Sequence, residues 1–141
     1  MKIDERIWNF FQKRLGYTDK EMHAFRDNPR NADIVAQSAT LRNKMIVAEV
    51  VETHGCNSQH QAGDKFYFDS AGNLMTDRCP QKVCVYALSA LSTLIFAASE
   101  LFYAGVDPNE MRFKRTDCID VGLQCGGWGN IVMEIRVEDR E

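Results

Sequence analysis

Cys79-Pro80-Gln81-Lys82-Val83-Cys84-Val85-Tyr86-Ala87-Leu88-Ser89-Ala90-Leu91-Ser92-Thr93-Leu94-Ile95-Phe96-Ala97-Ala98-Ser99-Glu100 is the stretch that decides the fold. Alanine and leucine dominate it, and from Val83 to Ser99 it runs for 17 residues without a charge. This predicts one long helix over about 80–104. Pro80 suits the first turn, where a missing N–H costs nothing, and Gly105 can take the left-handed cap that ends a helix. One face carries Cys84, Leu88, Leu91, Ile95, Ala98 and Phe102, the other Lys82, Tyr86, Ser89, Thr93 and Glu100. Such mild amphipathicity is expected of a helix covered on both sides. A membrane span needs roughly 20 mainly apolar residues. Lys82 and Glu100 close this run short of that, and Ser89, Ser92, Thr93 and Ser99 interrupt it, so a buried core helix is the expectation and a membrane is not.

Strands surround that helix in sequence. Met45-Ile46-Val47-Ala48-Glu49-Val50-Val51 is β-branched and reads as a central strand. Lys65-Phe66-Tyr67-Phe68-Asp69 follows as a second, with Ser70-Ala71-Gly72-Asn73 as its turn and Leu74-Met75 as an antiparallel return. Ile131 to Val137 reads as the closing strand. Residues 1–43 are instead helical: Ile7, Phe10, Phe11 and Leu15 recur at helical spacing, Gly16 stops the run, and Thr18-Asp19-Lys20-Glu21 forms a capping box ahead of Met22 and Phe25. Asn28-Pro29 ends that piece and opens another. The predicted fold is therefore α+β. Short N-terminal helices (1–43) precede one compact cysteine-containing core (44–141), a small, mainly antiparallel sheet or half-barrel packed on the long central helix.

Composition narrows the partners. The 141 residues carry 17 basic and 20 acidic side chains, a formal charge of −3, so no basic excess exists to attract a phosphate backbone and nucleic acid is not expected. The start, Met1-Lys2-Ile3-Asp4-Glu5-Arg6-Ile7-Trp8, breaks any signal-like apolar run with charges, which makes the cytoplasm the expected compartment. Thiols stay reduced there, so the five cysteines are expected to bind metal, to react or to lie buried rather than to pair as disulfides.

Four of the five fall in loops or at the predicted helix start. Cys56 and His60 belong to the loop between the first two strands, Cys79 is the predicted N-cap of the long helix, and Cys118 and Cys125 lie in the loop before the last strand. Cys84, on the apolar stripe, reads as a small structural hydrophobe. A helix N-terminus favours a thiolate, the form that binds metal or attacks an electrophile. Cys56, His60, Cys79 and Cys118 could thus converge on a Cys₃His centre for zinc or an iron–sulfur cluster, with Cys125 or His54 as substitutes. None of the spacings is a tight Cys-x-x-Cys knuckle. Without metal, Cys79 or Cys56 is the candidate nucleophile, assisted by His60 or by an aspartate, Asp120 or Asp117, as base; Gly63-Asp64 reads as turn chemistry, and His23 as a surface residue. Cys125-Gly126-Gly127-Trp128-Gly129 lacks the strand–loop–helix setting of a phosphate cradle, and Trp128 is expected to cover the core.

Gly55-Cys56-x₃-His60-x₂-Gly63-Asp64-x-Phe66, then Cys79-Pro80 opening an Ala/Leu-rich helix, then Cys118-x-Asp120, resembles a family of small bacterial and archaeal proteins of unassigned activity, many from anaerobes. The likeness spans roughly residues 44–137. It implies that Cys56, His60, Gly63, Asp64, Cys79 and Cys118 belong to a shared pattern, from which this chain departs where Ile119 stands in place of a common proline. Three functions are open on this reading: a metal- or cluster-binding domain serving as accessory subunit to a larger redox enzyme, a small enzyme or ligand-binding protein using a reactive thiolate, and a structural homo-oligomer or homodimer with incidental thiols.

Overall fold

A computed structural model describes residues 2–140; the outermost residues of both predicted segments, Met1 and Glu141, lie outside the described residues. The chain forms two compact units, Met1–Leu41 and Arg42–Glu141.

The first unit is helical: α1 (Glu5–Leu15), α2 (Asp19–Asp27), α3 (Pro29–Ala36) and α4 (Ser38–Arg42), the last crossing into the second unit. Local chemistry sets its boundaries. The Asp4 carboxylate accepts from the Arg6 amide, Gly16 ends α1 at φ 71°, and the Thr18–Glu21 capping box opens α2 with bonds of 3.2 and 3.0 Å. The buried face of α1 keeps only Phe11 of the predicted stripe, packed against the cluster of Trp8, Met22 and Val35. Trp8 is interior, its ring edge-on to Phe25 at 6.4 Å and the Arg26 guanidinium 4.7 Å from its centre, whereas Ile7, Phe10 and Leu15 stay exposed. Periodicity gave the helix; the bulk of an indole chose which stripe turned inward.

The second unit is an α+β layer pair. Four strands, β1 (Lys44–His54), β2 (Lys65–Asp69), β3 (Arg115–Asp117) and β4 (Asn130–Asp139), form an antiparallel sheet in the order β2-β1-β4-β3. One long helix, α5 (Val85–Tyr103), packs against it. Ile46, Ala48 and Val50 of β1, Phe66 and Phe68 of β2, and Ile131, Met133 and Ile135 of β4 face Ala87, Leu91, Leu94, Ile95 and Ala98 of α5. Each large side chain so buried contributes roughly 1.5–3 kcal/mol. The opposite face carries ion pairs beside the buried Met45 and Val47: Arg136 bridges Glu49 and Glu138 at 3.0 and 2.6 Å, and Arg115 pairs with Glu134 at 2.7 Å.

Three details depart from the sequence reading. The predicted return strand at Leu74-Met75 is a single bridge, Phe68 to Leu74. β3, three residues with no apolar alternation, was hidden in a predicted loop. And α5 starts at Val85 rather than near residue 80, because Cys79 is engaged elsewhere. By length and composition α5 could cross a membrane, with a mean hydropathy of 1.6, yet here it lies on the sheet with only 28% of that window buried.

Candidate functional site

Strand pairing gathers both predicted loops at one end of the sheet. His54, the last residue of β1, pairs with Asn130, the first of β4, and Asp117 pairs with Val132. The β1–β2 loop and the β3–β4 loop therefore leave the sheet side by side. Their backbones touch at two glycines: a Cβ on Gly129 would lie 2.0 Å from the His54 carbonyl oxygen, and one on Gly55 would lie 2.9 Å from the Trp128 carbonyl oxygen. Only glycine permits so close an approach.

The β1–β2 loop is held by its own polar groups. Gly63 donates to the Val50 carbonyl at 2.8 Å, Thr53 Oγ1 donates to the His60 carbonyl at 3.0 Å, and the Asp64 carboxylate accepts from Gln61 at 2.9 Å. Asp64 is thus a turn residue. These bonds set His60 inside, its side chain 3% exposed, with the ring centre 5.1 Å from that of Phe66 and Nδ1 3.8 Å from Asp64. Burial lowers the His60 pKa; Asp64 opposes that shift and Lys82 adds to it. Burial thus favours the neutral imidazole. Its Nε2 is buried and has no hydrogen-bond partner among the described residues.

Cys84 occupies the N-cap of α5. Burial pushes its thiol up, but the amide of Ala87, the Ser58 side chain and the amide of Tyr86 outweigh that and lower the pKa overall. The sulfur makes no cap hydrogen bond of full geometry; it lies within electrostatic reach of amides that a helix start leaves free. The Ser58 side chain lies near enough to Cys84 to favour its thiolate, and the Lys82 charge acts on His60.

The cysteine expected at this place does something else. Cys79 Sγ accepts from the Tyr67 amide at 3.3 Å and donates to the Tyr67 carbonyl at 3.8 Å, while Met75 donates to that carbonyl at 2.8 Å. β2 is an edge strand, and the sulfur satisfies an outward backbone group that no strand reaches. Cys79 is therefore an edge cap of the sheet, and the predicted N-cap at Cys79 is corrected to Cys84. Lys82 was the missed signal: a helix starting at Pro80 would put this cation in its first turn, against the dipole, whereas a start at Val85 leaves it outside.

Asp120 organises the second loop. Its carboxylate accepts from Gly122 at 2.9 Å and from Trp128 at 3.1 Å. The Gly122 amide, with those of Gly129 and Trp128, holds the group below the usual carboxylate range against a smaller opposing effect of burial. A carboxylate so occupied is a poor proton acceptor, which turns this candidate base into a loop anchor. Trp128, expected over the core, is 71% exposed, because that anchoring turns its backbone inward at Gly129.

Cys56, Cys79, Cys84 and Cys118 all border the apolar core, partly buried, whereas Cys125 and His54 are exposed. All five cysteines are unpaired thiols. Among the described residues, no three His, Cys, Asp or Glu side chains come together as a group able to hold a metal ion. Cys56, His60, Cys79 and Cys118 are thus not gathered into the expected Cys₃His arrangement, the tie between Cys79 and Tyr67 being one physical reason. No family model, curated protein or solved structure matches the chain.

Proposed function

We propose that this protein works through Cys84 as a thiolate at the start of α5, acting on or binding an electrophile. The single observation behind the reading is the setting of that sulfur: half-buried at a helix N-cap, beside the amides of Ala87 and Tyr86 and the Ser58 side chain, with its pKa lowered. A thiolate is the nucleophilic form of cysteine, and a site that lowers the thiol pKa raises the reactive fraction without any metal. His60 supports the same reading. It lies two residues from Ser58, burial favours its neutral form, and its buried Nε2 has no partner among the described residues.

The zinc or iron–sulfur reading has less behind it, since it needs Cys79 at the helix start and three ligand side chains together. Peptide mapping after limiting iodoacetamide treatment of the whole chain near pH 6.5 tests the proposal. Cys84 is expected to carry most of the label; equal, slow labelling of all five cysteines ends the reading.

A further inference from the structure

We propose that the groove between α5 and the turn following β2 binds a small organic cation with an apolar body, a site independent of the Cys84 chemistry. The groove holds about 520 Å³, within the range of small-molecule sites. Its base is apolar, formed by Phe68, Leu74, Leu88 and Ile95, and Phe96 and Tyr103 stand along it from α5. Phe96 is 67% exposed, a large ring that α5 leaves in water beside the groove.

The charge in the groove has one sign. Glu100 lines it, no lysine or arginine does, and Glu100 has no ion-pair partner among the described residues. Asp69 accepts from the amides of Ala71 and Asn73 at 2.9 Å each and so fixes the turn whose residues line the site. Burial, then the nearby Glu100, pushes the Tyr103 phenol up, so the ring beside Glu100 stays uncharged and electron-rich. Aromatic faces and an unpaired carboxylate together attract an organic cation. A bare divalent metal needs six or more oxygens and finds one carboxylate here, an anion is repelled, and a neutral hydrophobe gains nothing from Glu100.

Amide NMR shifts of the isotope-labelled whole chain, titrated separately with phenethylammonium, phenethyl alcohol and hydrocinnamate, test this. Phenethylammonium is expected to bind about three- to five-fold more tightly than the alcohol, hydrocinnamate more weakly than either, with shifts centred on Ser92, Ser99 and Tyr103. Glu100→Gln, an exposed substitution, should bring the ammonium down to the affinity of the alcohol and leave the alcohol unchanged. Equal affinities for the three probes overturn the proposal, as does the absence of saturable shifts. Peak broadening at those residues that grows with protein concentration also overturns it, since a second copy would then be the occupant.

Discussion

The sulfur of Cys79 accepts a hydrogen bond from the backbone amide of Tyr67 at 3.3 Å. That bond closes the outer edge of the sheet at β2 and leaves the start of α5 to a different cysteine, Cys84.

Replacing Cys79 with alanine leaves the partly buried Tyr67 amide without its partner, which costs about 1–2 kcal/mol. Urea unfolding of Cys79→Ala should show a loss of that size, while the labelling rate of Cys84 stays as in the parent chain. A Cys79→Ala chain of unchanged stability would remove the edge-cap role.

The glycine contact between the two loops gives a sharper contrast. Gly129→Ala puts a methyl group 2.0 Å from the His54 carbonyl, which the paired strands β1 and β4 cannot relieve without breaking their last bonds. Gly126→Ala meets nothing within 4 Å but must hold φ at 94°, a strain of order 1–3 kcal/mol. Thermal unfolding should therefore rank Gly129→Ala well below Gly126→Ala; the reverse order would mean that the loops do not cross there.

Much of this architecture was legible in the residues, for reasons that are local. The Thr18–Glu21 box, the Gly16 stop and the β-branched run of β1 act within a few positions, so spacing reveals them. The stripe that carries Leu91, Ile95 and Ala98 also met the sheet as expected. The site was less legible because its decisive contacts join distant positions. Nothing near Cys79 announces that Tyr67 will lack an outer neighbour, and nothing near Cys84 announces Ser58. Trp128 is exposed for the same reason: Asp120, eight positions away, holds its backbone amide.

Asp120 makes the second loop sensitive to acid. Amides favour its charged form in the folded chain, so its folded pKa lies below the unfolded value. The stabilisation is present above the ordinary carboxylate pKa of about 3.9 and is lost as pH falls through the lower folded value. In a Trp8→Phe background, Trp128 fluorescence should shift as pH falls below about 3.9, and Asp120→Asn should show the shifted signal already at neutral pH. Identical spectra for the two chains at pH 7 would show that Asp120 does not hold the loop.

His60 acts at higher pH. Burial places its folded pKa below that of the unfolded chain, so the unfolded state takes up the proton first. Stability is complete above the unfolded value of about 6.5 and declines as pH falls toward the folded one. The urea midpoint should fall between pH 7.5 and pH 5, and His60→Gln, which cannot be protonated, should reduce that fall. An equal fall in both chains would place the titrating group elsewhere.

The thiolate at Cys84 is the claim on which the functional reading rests, and the difference in ultraviolet thiolate absorbance between the parent chain and Cys84→Ser, followed as a function of pH, measures it directly. One thiolate equivalent is expected in the difference curve, titrating below the ordinary thiol value of 9.0 and moving upward when Ser58 is replaced by alanine. A midpoint at or above that usual value, indifferent to Ser58→Ala, would contradict it.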